Sequence, residues 1–386
     1  MVLFDLITVD RSVRTPLLWL FLILMFMDYA GYGYYVFYLT FFYLFYHKVF
    51  RLIDGMFFLL LVWGTLYGLI NYYHSGIFGY SQVFVFMINF PMLYLAGKYI
   101  VLYNTSKGLF VILFSLALSL AIISIISVFQ DVADNGFLVA AWGRDIPLIG
   151  IHNAEGVISA TGISSRLMPL SFSIVVLLFP LDIRKKLIIV ASSLLAIFCG
   201  FRLQSRTMIV GLASIFLLIT MWNWNFLSRR QKCILLVGLF LVVCSILWVL
   251  SQYSDELAIL DRFQDDEIES GGGRSYRLAM VASLMPSYPF GGMGTGIPYA
   301  HNMWFDCARL TGFFPFFLLS LFSLRFAFQT LHFLRDRNQN MTLRNILMIL
   351  SFAILVVSCS EPVLEGIPMV FALLCFLAGV VESIKS

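Results

Sequence analysis

Long apolar runs recur along almost the whole chain, separated by short polar connections, and nothing else restricts its fold as strongly. They fall near residues 16–46, 52–73, 80–103, 108–129, 161–180, 186–201, 206–226, 233–251, 302–333, 344–359 and 363–383. Most approach the ~20 residues that a helix needs to cross a bilayer core. Charged residues are 12% of the 386, half the ~25% of an ordinary soluble domain, and mean hydropathy is +0.92. A membrane β-barrel would instead alternate apolar and polar residues in segments of ~10. The expected fold class is an all-α polytopic membrane protein, a single integral membrane domain over 1–386 with no internal repeat.

The first run is too long for one ordinary span, and Asp28, Gly31 and Gly33 interrupt it. Two short helices with a tight turn give twelve spans; one long tilted helix gives eleven. Cytoplasmic loops should carry the positive charge. His47-Lys48-Arg51, Lys98/Lys107, Arg184-Lys185-Lys186, Arg229-Arg230-Lys232 and Arg335/Arg337/Arg344 alternate with connections that are mostly acidic. That alternation puts the C-terminus inside and makes 252–300 a large loop on the outer side, carrying short amphipathic helices. The first fourteen residues lack the charge order and cleavage site of a signal peptide. The net charge of +4 is small and scattered, so no nucleic-acid partner is expected.

Against that orientation, Arg202, Arg206, Arg274 and Arg277 are out of place, because all four fall on the outer side. Arg202 and Arg206 are four apart, and Arg274 and Arg277 three apart on a short amphipathic helix, Ser275 to Met285; both spacings share a helix face. Either they pair with the acidic run Asp261–Glu269, or they form an anion site, since guanidinium forks match phosphate geometry. Pro289 and Gly291, Gly292, Gly294 and Gly296 then forbid a stable helix and predict a loop folding over a cavity. That loop delivers His301 to the start of a helix that Asn302 can cap. Histidine is the natural base near neutral pH. Asp306 and Arg309 are expected to pair at i, i+3. Glu361 and Glu365 either contact sugar hydroxyls or pair with the arginines. His152, Asn153 and Glu155 carry a weak substrate-contact signal. The acidic triplet Asp265–Glu267 reads as a solvated loop, and the six cysteines show no paired spacing, so no metal site is expected.

The ordered set SRT (Ser205–Thr207), GRSYRLAM (Gly273–Met280), PFGGMGTG (Pro289–Gly296) and HNMWFDCARLTG (His301–Gly312) resembles the O-antigen polymerase and O-antigen ligase superfamily. EPVLEG (Glu361–Gly366) adds weaker support. The likeness covers about a third of the chain, Ser205 to Gly312. It implies a C-type glycosyltransferase fold in the bacterial inner membrane, with the active site facing the periplasm. It also implies a donor and an acceptor linked to undecaprenyl diphosphate, the bilayer itself and a chain-length regulator protein as partners, and no metal or other cofactor. Carried over by motif, Arg206 and Arg277 bind the diphosphate and His301 is the catalytic base. Arg274 competes with Arg277 for its register, because Met280 stands where many members have tryptophan. Arg202, Arg274, Asn302, Glu361 and Glu365 complete the expected substrate contacts.

The implied reaction is inverting transfer: an acceptor hydroxyl attacks the anomeric carbon and the lipid diphosphate leaves. Asp and Arg following the histidine, together with EPVLEG, resemble polymerases more than ligases, which would transfer the glycan to lipid A–core instead. The reading from another class is a flippase for lipid-linked sugars. Its charges should lie near mid-membrane on several spans, whereas these cluster at the outer ends.

Overall fold

The computed structural model describes residues 13–28, 33–75, 79–137, 146–147, 149, 157–178, 181–224, 229, 232, 274–291, 293, 297, 299–336 and 339–384. The described elements are helices, apart from a two-residue antiparallel bridge between Ile146–Pro147 and Val157–Ile158. In order they are α1 (Pro16–Met27), α2 (Gly33–Tyr46), α3 (Gly55–Ile70), α4 (Tyr80–Tyr103, with a π-helical turn at Val85–Asn89), α5 (Ser106–Asn135), α6 (Ala160–Phe172), α7 (Ile183–Arg202) and α8 (Arg206–Asn223). After the segment outside the description come α9 (Arg274–Leu284), α10 (Met303–Thr311), α11 (Phe313–Arg335), α12 (Met341–Ser360), α13 (Val363–Gly366) and α14 (Pro368–Ile384).

Among the described residues, seven helices are long and apolar enough to cross a membrane: α3 with its π-helical extension, α4, α5, α6 with its 3₁₀ extension, α8, α11 and α12. The polytopic all-α class therefore stands. The expected span near 233–251 and the acidic loop lie outside the described residues.

The run 16–46 forms two helices, as its interruption at Asp28, Gly31 and Gly33 predicts, each shorter than an ordinary span. At 1.5 Å per residue, 12 and 14 residues reach about 18 and 21 Å, against about 30 Å of hydrocarbon. Both ends of the hairpin return to one end of the bundle, where Asn104 Nδ2 donates to Thr15 Oγ1 at 3.0 Å and the His47 ring lies tilted at 5.8 Å from that of Tyr99. Its far end is buried: Asp28 closes α1 in the left-handed region (φ 46°) and faces Arg166 of α6 at 3.5 Å.

The core is built on α5, whose thirty residues are apolar nearly all round. Lipid tails are as apolar as leucine, so small residues rather than hydrophobicity let membrane helices approach. Gly97 of α4 and Gly379 of α14 do this here. A Cβ on Gly97 would overlap Phe376 O, and one on Gly379 would overlap Tyr94 O. Polar groups collect at the bundle ends. At one end Lys98 Nζ meets Asp54 Oδ2 at 2.7 Å, and Arg325 meets Glu382 at 3.1 Å. The opposite end carries His301.

Candidate functional site

The loop into α10 is pinned at both sides. Phe313 N donates to Tyr288 O and Phe314 N to Pro289 O, both at 3.1 Å. Gly312 makes that approach possible: its φ is 83°, and any Cβ would overlap Tyr288 O. Helix α9 lies across this segment, its Val281 buried with Ile297, Ala300 and Ala308 in a small core of its own. The amphipathic helix expected over Ser275–Met285 is thus present, and it carries Arg277 to within 3.5 Å of Tyr299 O. The Arg274 side chain lies outside the described residues.

Asn302 caps α10 as its sequence position suggests, its Oδ1 accepting from Trp304 N and Phe305 N at 3.2 Å each. Asp306, one turn on and 1% exposed, accepts from Ala300 N at 2.7 Å and from Asn302 N at 3.0 Å. The residue between those amides, His301, takes a left-handed backbone with φ 52°. For a residue other than glycine this costs on the order of 1–3 kcal/mol and persists only where the surroundings impose it. The imidazole is partly open to solvent. Its Nδ1 lies 3.9 Å from Glu361 Oε2, on a buried carboxylate where α12 ends.

Arg309, two turns up α10, was expected to pair with Asp306. That contact exists at 3.5 Å, but the stronger partner is Glu365 of α13, whose two oxygens lie 2.6 and 2.7 Å from Arg309 Nη2. Arg309 Nη1 also donates to Ile297 O at 3.3 Å, and the guanidinium lies 4.8 Å from the Tyr299 ring centroid. Glu365 thus pairs with Arg309, an arginine outside the four expected on the outer side. Burial pushes the Glu365 carboxyl up to about 7, with Arg309 pulling the other way. Burial pulls Arg309 down, but Glu365 more than offsets it and holds the guanidinium above its ordinary value. The pair is ionised above about pH 7 and loosens as Glu365 takes up a proton. Burial likewise raises Asp306, against the Ala300 and Asn302 amides.

Arg206 reaches the same end by helix register. Helices α8 and α12 run antiparallel, with Asn223 Nδ2 on Asn345 Oδ1 at 3.2 Å and Gly211 beside Val356. Continuing five residues along each helix brings Arg206 level with Glu361. Arg206 opens α8 beneath the Ser205 cap, where the helix dipole adds positive potential. Arg202 behaves differently from expectation. It is 1% exposed, donates through Nε to Gly136 O at 3.0 Å and pairs through Nη2 with Asp131 Oδ2. It ties α7 to α5 rather than facing an open site. The alternative pairing with Asp261–Glu269 lies outside the described residues, as do His152, Asn153 and Glu155.

Below the cluster, on the side away from Gly312, lies an apolar cavity of about 280 Å³ between α8, α11 and α12. Trp304, Phe326, Leu331, Phe352 and Leu355 line it, and the Trp304 indole donates to Ser323 Oγ at 3.0 Å. Sequence reasoning had not singled out Asp306 as a backbone acceptor. The signal was its spacing, four residues after the cap Asn302. No protein-family model and no curated protein sequence matches the chain.

Proposed function

We propose that this protein is a glycosyltransferase of the O-antigen polymerase kind, joining lipid-diphosphate-linked repeat units without a metal. The observation that carries the reading is His301 beside Glu361 at one end of an apolar helical bundle, with Arg277 held to Tyr299, two residues from His301, and an apolar cavity reached through Trp304 and Ser358; helix register places Arg206 at the same end. A lipid diphosphate has those two halves, an anionic head and a hydrocarbon tail. In this reading the diphosphate lies between Arg206 and Arg277, with its tail in the cavity lined by Phe326 and Phe352.

The acceptor hydroxyl attacks the anomeric carbon of the donor as its proton passes to His301 Nε2. The glycosidic bond to the diphosphate breaks with its electron pair on the leaving oxygen. Charge grows on the diphosphate, and fixed guanidinium groups in a poorly hydrated site stabilise it. Glu361 lies 3.9 Å from Nδ1, on the far side of the ring from the reacting Nε2, and His301 later returns the proton to solvent. The leaving group is already anionic, so it needs no acid.

The test is turnover by the purified protein with undecaprenyl-diphosphate-linked repeat units and no added metal. His301→Ala should slow it about 100- to 10,000-fold, and Arg277→Ala about 100- to 1000-fold. Wild-type rates in both variants would remove the assignment. Products longer than one transferred unit select polymerase, and transfer only to lipid A–core selects ligase.

A further inference from the structure

The strained backbone at His301 has one visible cause. Asp306 holds the amide before His301 and the amide after it, at 2.7 and 3.0 Å, with one oxygen for each. No neutral side chain of the same shape can do this, because an asparagine has one acceptor oxygen and its NH₂ would face the second amide. Asp306 is itself fixed on a helix: it sits on α10 under the Asn302 cap, with Arg309 Nε 3.5 Å from Oδ1. Arg309 is in turn locked to Glu365. The chain of contacts runs from α13 through Arg309 and Asp306 to the N–H groups of Ala300 and Asn302, the neighbours of His301, and ends with the imidazole 3.9 Å from Glu361.

We infer that Asp306 is the positioning residue of the site: its carboxylate holds the backbone N–H groups of Ala300 and Asn302, the residues on either side of His301, and so imposes the left-handed turn that aims the imidazole at the acceptor beside Glu361. This rests on the reading of His301 as the base. Asp306 itself touches no substrate. Its loss leaves donor binding intact and misplaces the proton acceptor.

The experiment compares wild type, Asp306→Asn, His301→Ala and the double variant, with undecaprenyl-diphosphate-linked repeat units as substrate. Melting temperature is recorded for each. Asp306→Asn should lower kcat about 10- to 100-fold, as an ångström-scale misplacement does, and leave the donor KM within about threefold. In the His301→Ala background the same substitution should cost nothing further, because the group it positions is gone. Asp306→Glu serves as a second, charge-preserving variant. It keeps its attraction to Arg309, but its carboxylate sits one methylene too far out to hold both amides, so kcat should fall without loss of melting temperature. Wild-type kcat in Asp306→Asn overturns the clamp. So does a loss repeated in full in the His301→Ala background, or recovery of both Asp306 variants only as unfolded protein. Turnover that needs His301 but not Asp306 removes the positioning role alone, whereas wild-type turnover in His301→Ala removes the base assignment beneath it.

Discussion

Replacing Arg309 by methionine tests how the site is held together. In the native structure its guanidinium meets both Glu365 oxygens, at 2.6 and 2.7 Å, and reaches Asp306 at 3.5 Å. Charge centres about 4 Å apart attract by about 4 kcal/mol at the effective dielectric of protein sites. Breaking such a pair from one side typically costs about 3–5 kcal/mol, because the other charge stays buried. Here the cost depends on pH. Burial holds Glu365 at about 7 with Arg309 present, and removing Arg309 must raise it further. Below pH 7 the carboxyl is protonated in both proteins, and the variant loses only hydrogen bonds, about 1–2 kcal/mol. Above pH 7 the wild type ionises and the variant does not, so the penalty grows by about 1.4 kcal/mol per pH unit until it reaches that ceiling. Arg309→Met/Glu365→Leu removes both charges and should return to within about 2 kcal/mol of wild type. Unfolding in mixed detergent micelles at pH 6 and pH 8.5 reads each value. A single variant as stable as wild type at pH 8.5, or a double variant less stable than the single, would refute the reasoning.

Glu365→Gln isolates the proton itself. Burial raises the native carboxyl to about 7 from an ordinary 4.5, so the native state holds a proton that the unfolded chain has lost between those values. Wild-type stability relative to the variant should be greatest below pH 4.5 and decline by about 3 kcal/mol as pH rises through 7; a flat difference across pH 5–8 would contradict it. Gly379→Ala should destabilise by about 1–3 kcal/mol, since its methyl must displace the Tyr94 carbonyl from the α4–α14 contact; an unchanged melting temperature counts against that packing. Arg202→Met should cost about 3–5 kcal/mol by stranding Asp131 and leave the donor KM within about threefold. A raised KM at unchanged stability would return Arg202 to the substrate site.

Several local features were legible in the sequence because their causes lie within one helical turn. The Asn302 cap, the amphipathic α9 that carries Arg277, and the helix break at Asp28 each depend on residues no more than four positions away. The apolar runs likewise required helices, since a bilayer offers backbone amides no other partner. Depth was not legible. A hydropathy window counts Phe26 and Val36 alike as membrane residues, while the lengths of α1 and α2 and the burial of Asp28 against Arg166 decide how far each helix reaches.

The sequence by itself determined that this chain is helical and apolar enough for a membrane. Only the tertiary structure chose partners among charges that spacing left equivalent. Asp306 lies three residues from Arg309, yet both of its oxygens are taken by the amides around His301, so Arg309 turns to Glu365, 56 residues away. Arg202 likewise finds Asp131 across 71 residues. A buried charge takes the opposite charge that packing brings within about 3 Å, and packing is a property of the assembled helices rather than of any one stretch of chain.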